Sequence, residues 1–207
     1  MRSDPNRHDR CSIRLREYDY TQPGAYFVTI CTQNRAYLFG QMVDGEMVLS
    51  DGGRMVQTVW DEIPVHYEGV AIDTFIVMPN HIHGIIVLVG AAPCGRPPSG
   101  QAPSGQAQGP APTIRISLPD VVQRFKTITT KRYVDGVKQQ RWPPFPGRLW
   151  QRGYYEHIIR DEESLDRIRQ YIDDNPAQWE LDRENLASAS YATPLRSAST
   201  KEEPWRI

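Results

Sequence analysis

Residues 70–89, VAIDTFIVMPNHIHGIIVLV, read as two β-strands joined by a turn too short to hold a helix. Val70–Met78 and His81–Val89 are rich in β-branched side chains, and Pro79-Asn80 interrupts the run between them. So short a connection makes the two strands antiparallel neighbours. Upstream, Ala25–Thr32 (AYFVTICT) has the same composition and predicts an earlier strand, with Thr21–Gly24 as the turn before it. Downstream, Tyr154–Arg160 (YYEHIIR) predicts a short last strand after the rigid Pro143, Pro144 and Pro146 loop.

Helical spacing fills the intervals. Ser50 or Asp51 caps a helix to about Ile63, with Met55, Val56, Val59, Trp60 and Ile63 on one face and Pro64 stopping it. Ser117 caps a second through about Tyr133, on the spacing of Val121, Val122, Phe125, Ile128 and Thr129. Tyr37–Phe39 and Met47–Leu49 flank a Val-Asp-Gly-Glu turn, which suggests a small hairpin or an irregular excursion. The order is βαββαβ, an α+β, ferredoxin-like pattern with an antiparallel sheet. A further helix follows from Asp161, with Leu165, Ile168, Tyr171 and Ile172 on its apolar face, and Asn175-Pro176 ends it. This pattern hosts many unrelated activities, so function rests on the side chains it carries.

The 207 residues suit one domain with appendages. Residues 1–20 read as a flexible arm, 21–186 as the domain and 187–207 as a disordered tail. Within the domain, residues 90–112 repeat Pro-Ser-Gly-Gln-Ala and hold almost no large apolar side chain, the composition of a flexible insert. No apolar run reaches the roughly 20 residues of a membrane span. The charged N-terminus excludes a secretory signal, and three widely spaced cysteines (Cys11, Cys31, Cys94) suit a reducing cytoplasm.

A net charge of −1 conceals an asymmetry. Residues 113–160 carry 10 basic and 3 acidic side chains, whereas residues 36–112 carry 2 and 7. The basic block includes Arg124, Lys126, Lys131, Arg132, Arg148 and Arg152, with Trp150 and other aromatics interleaved. Such a block offers phosphate contacts and stacking platforms for a single-stranded nucleic acid. The plain alternative is a solvated basic face.

His81 and His83 stand at i and i+2 of a strand, so both imidazoles leave the same face and converge as half a metal site. Two strand histidines satisfied by neighbouring hydrogen bonds would look the same. Tyr171 and Asn175 stand at i and i+4 of the last helix and stack on one side. The tyrosine can serve as a nucleophile and the amide oxygen as a third ligand; a core ring and an ordinary helix stop are the alternatives. His157, after Glu156 in the last strand, is a weaker candidate, better read as a structural histidine.

Three segments carry a family resemblance. Val77-Met-Pro-Asn-His-Ile-His-Gly-Ile-Ile-Val87 resembles the signature strand of the single-tyrosine HUH transposases, in particular the REP-associated tyrosine transposases. Leu149-Trp-Gln-Arg-Gly-Tyr-Tyr-Glu-His-Ile-Ile-Arg160 and Tyr171-Ile-Asp-Asp-Asn-Pro176 resemble two further segments of that family, in the same order. The resemblance implies that His81, His83 and Asn175 bind Mg²⁺ or Mn²⁺ and that Tyr171 is the nucleophile. It implies metal-dependent nicking and strand transfer through a 5′-phosphotyrosine. The implied partner is single-stranded or hairpin DNA of the REP type, engaged by a monomer or homodimer. The ligand chemistry alone leaves zinc open. Two other readings stand beside this one at the level of sequence: a non-catalytic nucleic-acid-binding module, and a metal hydrolase in which Tyr171 is structural.

Overall fold

The computed structural model of the chain describes residues 18–89, 116–182 and 184–185. The insert at 90–112, the tail at 187–207 and most of the arm at 1–20 lie outside the described residues. Residues 18–20, read above as the end of the arm, belong to the packed structure. Tyr18 and Tyr20 meet edge to face with ring centroids 5.0 Å apart, and the Tyr20 carbonyl accepts the Leu118 amide at 3.0 Å.

Strand β1 (Gly24–Cys31) is followed by a hairpin of β2 (Gly40–Val43) and β3 (Glu46–Leu49). Next come helix α1 (Asp51–Asp61), a short α2 (Ile63–His66), and strands β4 (Val70–Val77) and β5 (His81–Leu88). Helix α3 (Leu118–Gln140), strand β6 (Tyr155–Ile159), helix α4 (Glu162–Asp174) and a 3₁₀ helix (Pro176–Leu181) complete the order. The main sheet runs β4-β5-β1-β6 with every neighbouring pair antiparallel. Leaving out the hairpin and the short α2, this is the ferredoxin-like strand arrangement that the element order predicts.

Alternation along β1 and β5 divides the core in two. Tyr26, Val28, Ile30, Ile82 and Ile86 face α1 and α3, together with Val56, Val59, Trp60, Val121, Val122 and Phe125. Phe27, Ile85 and Ile159 face the other way and are covered by Ile168 and Ile172 of α4. Burying each of those two isoleucines contributes roughly 1.5–3 kcal/mol, enough to hold one helix on a sheet face. Gly84 is placed by this packing: a Cβ there would lie 2.5 Å from the Trp60 ring and 2.8 Å from Phe75. The absence of a side chain lets Trp60 and Phe75 stack across β5 at a centroid distance of 4.3 Å.

Several boundaries differ from the sequence reading for local reasons. Ser50, rather than Asp51, caps α1, its hydroxyl accepting the Gly53 amide at 3.1 Å. Pro64 does not merely stop α1; it sits in the first turn of α2, where its missing N–H costs nothing. The first hairpin strand lies at Gly40–Val43, after Tyr37–Phe39. Helix α3 starts with a capping box between Ser117 and Asp120, and runs seven residues past Tyr133 to Gln140. Gly136 packs on the Trp142 ring there, and left-handed Arg141 closes the end by donating to the Gly136 carbonyl. No helix among the described residues is long and apolar enough to cross a membrane.

Candidate active site

His81, Ile82 and His83 show the strand alternation directly. Ile82 is buried on the α1/α3 side, and the two imidazoles emerge on the α4 side, where they are almost fully buried. Their Nε2 atoms are 3.0 Å apart. Asn80 approaches His81 from behind, its Oδ1 2.8 Å from Nδ1. The Asn80 amide nitrogen donates to the carbonyls of Glu184 (2.7 Å) and Arg35 (3.3 Å), which leaves Oδ1 as the atom facing the ring. His81 Nδ1 therefore donates, and the Nε2 lone pair of the neutral ring points into the site. Burial holds the His81 pKa well below the usual imidazole value, with the charges of His83 and Arg35 adding to the effect. Thr29, opposite His83 on β1, holds its Nδ1 at 2.8 Å.

Tyr171 comes from α4. Its hydroxyl lies 3.5 Å from His83 Nε2, and its ring meets His83 and Phe27 edge to face at 5.3 and 6.0 Å. Asn175, the C-cap of α4, is 4% exposed, and its side-chain Oδ1 has no hydrogen-bond partner among the described residues. An orphaned, buried amide oxygen is costly unless something satisfies it, and a hard cation is one such partner. The chain then turns back through the 3₁₀ helix. Trp179 stacks on His81 at a centroid distance of 6.0 Å, and the Asp182 Oδ2 lies 3.9 Å from His81 Nε2. Ligand atoms of His81, His83 and Asp182 all fall within 4.8 Å of one another. Two imidazoles and a carboxylate form a donor set that fits a divalent cation.

The sequence reading missed Asp182, Asn80 and Thr29. Asn80 adjoins the histidine pair inside a quoted motif and could have been singled out. Asp182 lies beyond the helix stop, where no periodicity marks a chain that folds back. His157 sits on β6 opposite Phe27, half-buried, its pKa lowered by burial and then by Arg160.

The basic residues divide by role. Lys126 stitches α3 to the segment before β6, donating to the carbonyls of Gln151 (3.0 Å) and Gly153 (2.7 Å) and lying over the Tyr154 ring. Arg132 is engaged by Glu62 through two hydrogen bonds, and exposed Arg124 lies over the Tyr67 ring. Trp150 belongs to the core: it is 4% exposed, with its indole N–H bound to Thr129 at 2.8 Å, so it presents no stacking face. Exposed Lys131, Arg148 and Arg152 line a groove of about 660 Å³ along α3. Arg148 and Arg152 also border a second hollow of about 630 Å³ beside Gln33 and Asn34.

Fold and side chains define the class: an antiparallel, ferredoxin-like α+β protein with a buried histidine pair beneath a helix-borne tyrosine. Residues 111–175 match the family described as "Transposase IS200 like". An uncharacterised protein of Haemophilus influenzae is 39% identical over 181 residues, covering 85% of this chain and 93% of its own. Among solved structures, a REP-associated tyrosine transposase bound to a REP hairpin is similar at 18% identity and a TM-score of 0.46, over 82% of this chain and 76% of that one. A candidate transposase from Deinococcus radiodurans is similar at 19% identity and a TM-score of 0.41, over 78% and 95%.

Proposed function

We propose that this protein is a nicking and strand-transfer transposase acting on single-stranded DNA beside REP-type hairpins, with Tyr171 as its covalent nucleophile. The observation that carries this reading is the approach of the Tyr171 hydroxyl to His83 Nε2, 3.5 Å, within the buried histidine pair. A structural tyrosine would need no such neighbour. The family match over residues 111–175 and the three ordered motifs support the same chemistry.

His81, His83 and Asn175, with Asp182 beside them, are the residues that would hold Mg²⁺ or Mn²⁺. Such a cation, when bound, offsets the negative charge of the scissile phosphate. The chain does the remaining work. Asn80 and Thr29 fix the imidazole rotors, and Trp179 and Phe27 exclude water from either side of the pair. Tyr171 Oη attacks phosphorus as the P–O3′ bond breaks. The 5′ phosphate stays on the tyrosine, and the phenolic proton is balanced on the departing 3′-OH. A second 3′-OH reverses the step, which joins strands without an external energy source. Lys131, Arg148 and Arg152 supply phosphate contacts along the groove for the DNA.

The test is a denaturing gel of the protein with labelled hairpin DNA and Mn²⁺, followed by peptide mapping of the adduct. A covalent adduct on the peptide holding Tyr171 is expected. Cleavage without an adduct, or an adduct on Tyr154 or Tyr155, overturns the assignment.

A further inference from the structure

Helix α4 carries Tyr171 but is held to the sheet face chiefly by the smooth side chains of Leu165, Ile168 and Ile172. An apolar stripe fixes which side of a helix faces the sheet. It resists small rolls about the helix axis poorly, because aliphatic contacts are non-directional. At 3.6 residues per turn, Arg169 and Tyr171 flank the stripe on opposite sides. Tyr171 points toward His83 on β5 and Phe27 on β1. Arg169 reaches the edge strand β4 instead, where its Nε and Nη2 donate to Asp73 Oδ1 (3.0 Å) and Oδ2 (2.7 Å).

Asp73 lies on the α4 side of β4, where the strand is irregular. The β4–β5 register passes from Ile72 opposite Ile86 to Phe75 opposite Gly84, so Asp73 and Thr74 together oppose Ile85. Ile85 faces α4, and the extra residue of such a bulge re-aims a side chain. The Thr74 amide and hydroxyl both donate to Asp73 Oδ1, fixing the carboxylate against the strand. Arg169 is steadied in turn by Asp166 on its own helix at 3.0 Å.

We propose that the Asp73–Arg169 pair is a positioning device: a two-point clamp that sets the roll of α4 and so places the Tyr171 hydroxyl over His83. The proposal rests on Tyr171 being the nucleophile. A paired guanidinium and carboxylate have a fixed mutual plane, the directional constraint that the apolar stripe lacks. Neither residue touches the histidine pair in any contact described above.

The test compares wild type with Asp73→Asn, Arg169→Gln and the double variant in single-turnover adduct formation on hairpin DNA. Mn²⁺ affinity, DNA affinity and thermal stability are measured on the same samples. Each single variant is expected to form adduct about 10- to 100-fold more slowly, the scale of a misplaced reacting group. Mn²⁺ and DNA affinities are expected to stay within about twofold of wild type, and the double variant to be no slower than either single, since both break one clamp. Arg169→Lys, which keeps the charge but not the fork, is expected to fall between, and it serves as the folded comparison if Arg169→Gln is unstable. Wild-type adduct rates in the folded single variants overturn the proposal, as do parallel losses of metal and DNA binding or multiplicative losses in the double variant. Failure of wild type to form a Tyr171 adduct is a different result, since it removes the nucleophile assignment itself.

Discussion

Asn80 accepts the Nδ1 proton of His81 at 2.8 Å, and this one hydrogen bond decides which nitrogen of a buried imidazole is left to bind anything. The asparagine is itself oriented by two backbone carbonyls, one of them from Glu184, far along the chain. Side chains behind a ligand tune it as strongly as the ligand's own identity. Asn80→Ala is therefore expected to weaken Mn²⁺ binding about 10- to 100-fold while both histidines remain. Titration calorimetry with Mn²⁺ checks this, and unchanged affinity would show that the ring needs no such support.

His81→Ala and His83→Ala are each expected to abolish cleavage while hairpin DNA binding stays largely intact. The basic groove along α3 is built from other residues. Cleavage assays paired with mobility shifts separate the two properties. Full cleavage by the double alanine variant would sink the metal assignment.

Tyr171→Phe is expected to lose cleavage and adduct together. The ring contacts with Phe27 and His83 survive the change, so the thermal midpoint should move little; the lost hydroxyl costs about 0.5–1.5 kcal/mol at most. A persistent adduct in this variant would transfer the role to another tyrosine.

Stability should fall as pH drops below about 6.5. His81 resists protonation in the folded protein, whereas the unfolded chain takes up that proton near the ordinary imidazole value. Its contribution is complete above the unfolded pKa and is lost as pH descends toward the folded one. Denaturant melts between pH 7.5 and 5 should show the slope, and His81→Gln should flatten it. Asp73, whose pKa is lowered first by its hydrogen bond from Arg169, acts in a separate, more acidic window below about pH 4.

Gly84→Ala should destabilise the fold by about 1–3 kcal/mol, the usual cost of overpacking. The new methyl group has the Trp60 and Phe75 rings on its path. Calorimetry measures the loss; a neutral result would mean the stacked pair can slide apart without cost.

Period-2 and period-3.6 patterns made the strands and helices legible, including the shared face of His81 and His83. They state which residues share a face, and so could place Tyr171 above the sheet once α4 was recognised. They are silent about chain reversal. Asp182 and Trp179 reach His81 through a 3₁₀ turn after Pro176, a segment with no apolar repeat. Trp150 shows the opposite failure: its place among basic residues suggested a surface ring, but Phe39 and Phe125 claim it for the core. Composition reports neighbours in sequence, and burial is decided by neighbours in space.

The polarity of β5 has a practical consequence. The strand begins with His81 at the histidine end and finishes at Leu88, seven steps and roughly 23 Å away. The chain leaves toward residues 90–112 from that distant end. A fluorescent protein or targeting module joined directly after Val89 would therefore attach at the end of β5 opposite the histidines, giving a traceable version of the protein.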